Sequence, residues 1–169
     1  MAYLLDANVF ISAKNLHYGL DFCPAFWDWL IAENAAGRLF SIEKVGDELL
    51  ALADELSVWA SARDAKFFLR PDDTVLPAMA KVSEWVKLPR YEPSAISTFL
   101  QDVDYYLVAQ ALAGNHTVVT HEVPSASARK IKIPDVCIGL DIKCMSPYEM
   151  LRRQRARFVL QEKQGSDAS

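Results

Sequence analysis

The chain has 169 residues, of which 51% are hydrophobic and 24% charged, with 6 Gly and 8 Pro. This is the length and composition of one ordinary globular domain, which excludes a repetitive, collagen-like or wholly disordered chain. The formal net charge is −4 at pH 7 and argues against a protein that coats nucleic acid through a broadly positive surface. No apolar run approaches the roughly 20 residues of a membrane helix, and the three cysteines form no CxxC pair. We therefore expect a cytoplasmic protein with no membrane association and no disulfide framework.

The first part of the chain predicts strands that alternate with helices. Tyr3–Leu5 is a short apolar run that ends at Asp6, which is typical of a buried strand. Pro24 and Gly37 stand where a helix would begin and end, because proline favours the first turn and glycine the position after the last. Leu39–Ile42 then predicts a second strand.

The middle of the chain predicts helices and loops only. Apolar residues recur at three- and four-residue steps after Ser41, with a break near residues 54–57, and the helical pattern resumes over residues 74–86. Ser94 is expected to be the N-cap of the next helix. A further helix, which follows Asp102, is expected to end at Gly114.

The last part of the chain predicts two more strands and a final helix. The β-branched run favours a buried strand over His116–Thr120, and a last short strand is expected around Ile142–Cys144. Ser146 and Pro147 predict the start of a final helix that carries Phe158.

No internal repeat or interdomain linker interrupts this pattern. Strands that are separated by helices form a parallel sheet covered on both faces. We therefore expect a three-layer α/β/α fold with a short, mostly parallel central sheet. A single domain is expected over residues 1–163, followed by a disordered tail over residues 164–169.

Four carboxylates stand at positions that this fold would bring together. Asp6 and Glu122 follow two strands, and ligands of open parallel sheets bind beyond the carboxyl ends of the strands. Glu48 borders the apolar face of its helix, and Asp104 lies in the first turn of another. Such a cluster needs a compensating cation, and carboxylate oxygens favour Mg²⁺ or Mn²⁺. Taken singly, each acid is equally explained as a cap or turn residue.

The segments that contain these acids resemble the PIN domain, named for the PilT N-terminus. The segments are YLLDANVFISAKN, VGDELL, DVDYYLVAQALAG and TVVTHE, and their order and spacing match across nearly the whole chain. PIN domains are three-layer α/β nucleases whose acidic quartet binds Mg²⁺ or Mn²⁺ and cleaves RNA, and many are toxins of bacterial type II toxin–antitoxin systems. The resemblance implies a metal-dependent ribonuclease, a hydrolase, whose metal ligands and catalytic residues are Asp6, Glu48, Asp104 and Glu122.

A narrower resemblance implies the partners. FCPAFWDWL, VVTHE and KIPDVC are similar to an uncharacterised group of PIN-like proteins, which in turn is similar to stand-alone toxins encoded beside a small partner. We therefore expect RNA as substrate and a cognate antitoxin protein as partner. The excess of aromatic residues around Trp27 would serve as an antitoxin surface or as the interface of a homodimer.

The resemblance also implies roles for individual residues in phosphodiester hydrolysis with one or two ions. Asp6 and Asp104 would hold the principal ion, Glu48 would orient its water, and Glu122 would support a second ion or the substrate. Orientation of carboxylates or waters falls to two polar residues, Asn8 and Thr120. Contacts with RNA phosphates fall to three basic residues that follow Glu122 closely, Arg129, Lys130 and Lys132.

One departure from the family pattern leaves alternatives open. The family usually has Asp in the fourth position, whereas this chain has Glu122, so Asp102 and Asp135 are the reserve candidates. A catalytically inactive PIN-like binding module is the main alternative function. A haloacid dehalogenase-like phosphotransferase is disfavoured, because its second Asp is replaced here by Asn8. His121, beside Glu122, is expected to have a packing or solvent role before a substrate-binding one.

Overall fold

The computed structural model describes residues 1–162 and contains a five-stranded sheet in which all neighbouring strands are parallel. The strands are β1 (Tyr3–Leu5), β2 (Leu39–Ile42), β3 (Phe68–Leu69), β4 (Thr117–Val119) and β5 (Cys144–Met145). Their order across the sheet is β3-β2-β1-β4-β5. The carboxyl ends of all five strands therefore lie at one edge of the sheet.

Helices occupy most of the connections between the strands. They are α1 (Ala7–Ser12), α2 (Pro24–Ala35), α3 (Glu43–Ala51), α4 (Glu55–Ser61), α5 (Val75–Val86), α6 (Pro93–Gln101), α7 (Val103–Gly114), α8 (Ile133–Gly139) and α9 (Pro147–Arg153). A π-helical turn, Ala13–His17, continues α1, and the Tyr18 N–H donates to the Ala13 carbonyl at 2.7 Å. None of the helices within residues 1–162 is long and apolar enough to span a membrane.

The centre of the sheet is the centre of the hydrophobic core. Leu4 and Leu5 of β1 and Val118 and Val119 of β4 are completely buried. Strands of a parallel sheet are apolar on both faces because helices cover both faces. The chain is a three-layer α/β/α fold, which confirms the fold class predicted from the sequence.

The local sequence signals explain where several helices begin and end. Pro24 occupies the first turn of α2, and Gly37, with φ of 75°, follows its end. The predicted break between α3 and α4 is a capping box: the Asp54 side chain accepts from the Ser57 N–H at 3.1 Å, and the Asp54 N–H donates to Ser57 Oγ at 3.0 Å. These boundaries confirm the sequence-based predictions.

Several elements differ from those predictions. The middle of the chain is not entirely helical, because Phe68–Leu69 pairs with β2 as the edge strand β3. Helix α8 was not predicted, although Pro134 stands in its first turn. Glu92, not Ser94, is the N-cap of α6, since that helix begins at Pro93.

One helix end and one aromatic residue also differ. Helix α7 ends at Gly114 as expected, with Asn115 after it in the left-handed conformation, whereas α9 ends before Phe158. Trp27 is only 2% exposed and donates its Nε1–H to the Tyr18 carbonyl at 2.7 Å, so this ring belongs to the core. The predicted tail, residues 164–169, lies outside the described residues.

Candidate active site

Asp6 lies at the carboxyl edge of the sheet, where β1 and β4 end side by side. Leu5 pairs with Val119, and the Asp6 N–H donates to the Val119 carbonyl at 2.9 Å, so the next residues of both strands become neighbours. The Asp6 side chain is buried and makes no capping hydrogen bond to α1, although the helix begins immediately after it. A helix cap therefore does not explain why a carboxylate stands here.

Thr120 and Asn8 hold Asp6 in a hydrogen-bonded network. The Thr120 hydroxyl donates to Asp6 Oδ2 at 2.8 Å and accepts from Asn8 Nδ2 at 3.1 Å. The same hydroxyl accepts from the Glu122 N–H at 3.0 Å, while Asn8 Oδ1 accepts from the His121 N–H at 3.2 Å. The network fixes the turn after β4 and leaves the other oxygen of Asp6 outside these side-chain hydrogen bonds.

Asp6 and Asp104 share a region of concentrated negative charge. Burial, together with the smaller effects of the charges of Asp6, Asp102, Glu122 and Glu48, raises the pKa of Asp104 to about 8. Burial likewise raises the pKa of Asp6 to about 6, against the lowering effect of the Thr120 hydrogen bond. The fold thus brings the predicted acids into one electrostatic neighbourhood.

Glu48 joins this neighbourhood from α3. Burial raises its pKa, and the charge of Asp102 raises it as well. The charge of Asp102, a reserve candidate for the fourth acid, therefore lies close to both Glu48 and Asp104. Asp102 is also the N-cap of α7, where its Oδ1 accepts from the Asp104 N–H at 3.3 Å.

Glu122 and Asp135 are engaged in holding the loop between β4 and α8. Glu122 Oε2 accepts from the Ile133 N–H at 2.8 Å, and Glu122 Oε1 lies 3.7 Å from Lys132 Nζ. Asp135 accepts from the Ser125 N–H with Oδ2 at 3.1 Å. Both carboxylates thus hold this loop, whereas the charge of Asp102 lies close to Asp104 and Glu48.

Two of the three predicted phosphate-binding residues lie beside Asp104. Arg129 and Lys130 line a cavity of about 240 Å³ together with Asp102 and Asp104. Arg129 also forms a loose ion pair with Glu92, with Nε and Oε1 3.7 Å apart. The third residue, Lys132, is paired with Glu122 as described above. Positive charge therefore flanks the acidic cluster on the side of the 240 Å³ cavity.

Comparison with protein families assigns the chain to one whose function is not established. The family model described as a domain of unknown function (DUF4411) matches residues 3–158. The chain belongs to the DUF4411 family. A search of curated proteins and a search of solved structures gave no match.

The acidic cluster of the DUF4411 chain, formed by Asp6, Glu48, Asp102 and Asp104, has the oxygen ligands that a hard cation prefers, but its side chains are not arranged as a metal site. Within residues 1–162, no three His, Cys, Asp or Glu side chains are arranged as a metal site. Carboxylate oxygens are nevertheless the ligands that Mg²⁺ and Mn²⁺ prefer. Burial, and after it the charges of neighbouring carboxylates, raise the pKa values of Asp6 and Asp104. The donor set therefore fits such an ion, which would relieve the repulsion.

A larger cavity lies to one side of this cluster. It has a volume of about 470 Å³ and is lined by residues that include Lys44, Asp47, Tyr106 and Gln110. None of Asp6, Glu48, Asp104 and Glu122 lines it. The four predicted acids of the DUF4411 chain therefore lie outside this larger cavity.

Proposed function

We propose that this DUF4411 chain is a metal-dependent endoribonuclease of the PIN type, the toxin of a type II toxin–antitoxin pair. The observation that carries the proposal is the pair formed by buried Asp6 and half-buried Asp104, which lie close enough for the charge of Asp6 to raise the pKa of Asp104 and whose pKa values are raised to about 6 and about 8. Uncompensated carboxylates are costly to a fold and cluster at functional sites. The PIN-like order of the acidic segments gives this pair its chemical interpretation.

Asp6, Asp104 and Glu48 would bind the ion. Mg²⁺ or Mn²⁺, when bound, would polarise a phosphoryl oxygen and lower the pKa of water for in-line hydrolysis of the phosphodiester. The Thr120 hydroxyl holds one oxygen of Asp6 and so presents the other in a fixed orientation. Asn8 in turn fixes the Thr120 hydroxyl, so the two residues act together on one carboxylate.

Positive charge beside the cluster supports an anionic polymer as substrate. Arg129 and Lys130 line the same cavity as Asp104, and the exposed Arg129 side chain could exchange its loose pairing with Glu92 for a phosphate. Lys132 offsets the charge of Glu122 and would contribute less to RNA binding. The local patch compensates for the net negative charge of the chain where the substrate would approach.

The biological setting follows from the same proposal. A ribonuclease toxin acts in the cytoplasm, and the free thiols of Cys23, Cys137 and Cys144 are consistent with a reducing compartment. Its activity would be held in check by a cognate antitoxin protein. Since Trp27 is part of the core, the aromatic excess of α2 no longer argues for a homodimer or for where the antitoxin binds.

A second candidate function is a PIN-like binding module without catalysis. The observation that favours it is the engagement of both Glu122 oxygens, one with the Ile133 N–H and one near Lys132. The acid at the fourth position of the family pattern is then used to hold the loop and not to bind an ion. The charge of Asp102 close to Asp104 and Glu48 argues the other way, because a fourth carboxylate is still at hand.

Cleavage of purified bacterial RNA tests the proposal directly. We expect cutting with Mn²⁺ or Mg²⁺, none with EDTA, and none by Asp104→Asn, which keeps the size and shape of the side chain. Mn²⁺ should also raise the thermal midpoint of the wild-type chain and not that of the variant, because a ligand of the folded state alone stabilises it. Folded protein that neither cuts RNA nor responds to Mn²⁺ would make the binding module the better account.

A further inference from the structure

Three polar aromatic rings form a cluster beside the acidic site. They belong to His17, His121 and Tyr148, and we refer to them as the aromatic cluster. The ring centroids lie 5.7 Å apart for His17 and His121, 5.6 Å for His17 and Tyr148, and 5.7 Å for His121 and Tyr148. The Tyr148 Oη lies 2.9 Å from His17 Nε2, within hydrogen-bond distance. No part of the proposed hydrolysis uses these rings.

The aromatic cluster is built from the same sheet edge as the acids. His121 stands between Thr120 and Glu122, and its N–H donates to Asn8. Tyr148 lies in α9, which starts directly after β5, and the Thr120 N–H donates to the β5 residue Met145 at 3.1 Å. His17 ends the π-helical turn that continues α1, an irregularity that is frequent at functional sites. Chain segments that follow β1, β4 and β5 thus converge on the aromatic cluster.

An open cavity continues from the aromatic cluster on the side of Tyr148. Its volume is about 220 Å³, and its lining is Tyr18, Tyr148, Leu151, Arg152, Ala156 and Phe158. The Tyr18 and Phe158 rings meet edge to face with centroids 5.8 Å apart. Among the described residues, no carboxylate lines the cavity, and Arg152 is exposed beside it. Aromatic walls with an arginine at the rim differ sharply from the acidic site next to them.

We propose that the aromatic cluster and this cavity form a subsite for an unpaired base of the RNA strand, beside the phosphate to be cut. Tyr148 and His121 would offer ring faces for stacking, and Arg152 would bind a neighbouring phosphate or stack on the base. This inference rests on the proposed ribonuclease function. Bases of a duplex are stacked on one another and cannot enter, so the subsite makes the enzyme selective for single-stranded RNA.

A binding experiment without catalysis tests the subsite. The anisotropy of a short, fluorescently labelled, unpaired RNA oligonucleotide is titrated with the full chain in EDTA. Tyr148→Leu should weaken binding by about five-fold or more, because the aliphatic side chain stays apolar but has no ring face for stacking. Tyr148→Phe, which keeps the ring, should stay within about two-fold of the wild type. Arg152→Ala should also weaken binding, whereas Arg70→Ala, which changes an exposed arginine beside β3, should not.

An abasic oligonucleotide with the same number of phosphates separates stacking from charge. The wild type should bind it at least about five-fold more weakly than the base-bearing strand, and Tyr148→Leu should bind it as the wild type does. This wild-type comparison holds even if a variant fails to fold. Equal affinity of the wild type for the two strands overturns the subsite. An equal loss of affinity for both strands in Tyr148→Leu overturns it as well, and so does the absence of any RNA binding.

The ribonuclease and the subsite can fail independently. Base-dependent binding without metal-dependent cutting would retain the subsite and overturn the nuclease. Metal-dependent cutting that is lost in Asp104→Asn, together with base-independent binding, would retain the nuclease and overturn the subsite. If both stand, Tyr148→Leu should raise the KM for unpaired RNA more than it lowers kcat, because the lost contact is made in the bound substrate as well as in the transition state.

Discussion

Thr120 donates its hydroxyl to Asp6 Oδ2 at 2.8 Å, although the two residues are 114 positions apart in the chain. The contact exists because β1 and β4 are parallel neighbours that end at the same level of the sheet. It ties the orientation of the most buried acid of the site to the residue that follows the other strand. Several predictions of the proposed mechanism depend on this contact and on the charges around it.

Removal of the Thr120 hydroxyl should impair catalysis without unfolding the chain. Thr120→Val keeps the shape and loses the donor to Asp6, so we expect a fall in RNA cleavage or in Mn²⁺ affinity of about 10- to 100-fold. Thr120→Ser restores the hydroxyl and should recover most of the loss. Cleavage rates at several Mn²⁺ concentrations measure the effect. Wild-type rates in folded Thr120→Val would show that the hydrogen bond does not orient the acid for catalysis.

Substitution of Asp6 should separate stability from activity. Asp6→Asn removes a buried charge that Glu122 and Glu48 repel, so the metal-free variant should be as stable as the wild type or more stable. Its cleavage of RNA should be abolished, because an amide is a poor ligand for Mg²⁺. Thermal unfolding in EDTA and cleavage in Mn²⁺ give the two readouts. An unfolded Asp6→Asn chain would mean that Asp6 is a structural residue.

The pH dependence of stability should reveal the coupled carboxylates. The folded-state pKa of Asp104 is raised from its ordinary value of 3.8 to about 8, so the folded chain binds the proton more tightly than the unfolded chain does. Its stabilising contribution is fully present below about pH 4 and is lost as the pH rises through about 8. Asp6 adds a smaller loss that is complete above about pH 6.

Thermal unfolding in EDTA between pH 5 and pH 9 checks this dependence. One proton bound by the folded chain alone lowers the free energy of unfolding by about 1.4 kcal/mol for each pH unit. For a chain of this size, each kcal/mol shifts the thermal midpoint by ~2–4 °C. Between pH 6 and pH 8 the wild-type midpoint should therefore fall. Asp104→Asn should flatten the plot of thermal midpoint against pH in this range. The fall below pH 6, where Asp6 titrates, should remain. An identical curve for Asp104→Asn would contradict the placement of Asp104 among repelling charges.

The sequence predicts the ends of the central strands well, because an apolar run that stops at a polar residue is a local signal. Tyr3–Leu5 before Asp6 is such a run, and both the strand and the carboxylate lie where the pattern predicts. Phe68–Leu69 could not be found in this way, since two residues carry no periodicity and become a strand only by pairing with β2. Tertiary pairing, not local preference, creates that edge.

The roles of the individual acids were less predictable than the positions of the strands. The engagement of Glu122 with Ile133 depends on the path of the loop between β4 and α8 and on a helix that the sequence did not reveal. The proximity of Tyr148 to His121 depends on the pairing of β5 with β4. Contacts between segments far apart in the chain leave no spacing pattern to read.

Glu122 and Asp102 should differ in what their substitution costs. Glu122→Ala removes the acceptor of the buried Ile133 N–H, so we expect a loss of about 1–3 kcal/mol in the free energy of unfolding. Glu122→Gln keeps an acceptor oxygen and should cost less than about 1 kcal/mol. If Asp102 supplies the fourth carboxylate, Asp102→Asn should reduce metal-dependent cleavage far more than Glu122→Gln does.

The amide variants make this comparison sharp, because Asn at position 102 can still accept the Asp104 N–H at the start of α7. Loss of charge is then the main change at both sites, and thermal unfolding checks that both variants remain folded. Cleavage rates across a Mn²⁺ titration decide between the two acids. A large loss in Glu122→Gln with near wild-type rates in Asp102→Asn would return the fourth position to Glu122. The carboxylate would then have to leave Lys132 and the Ile133 N–H to reach the ion, and metal binding would loosen the loop that it now holds.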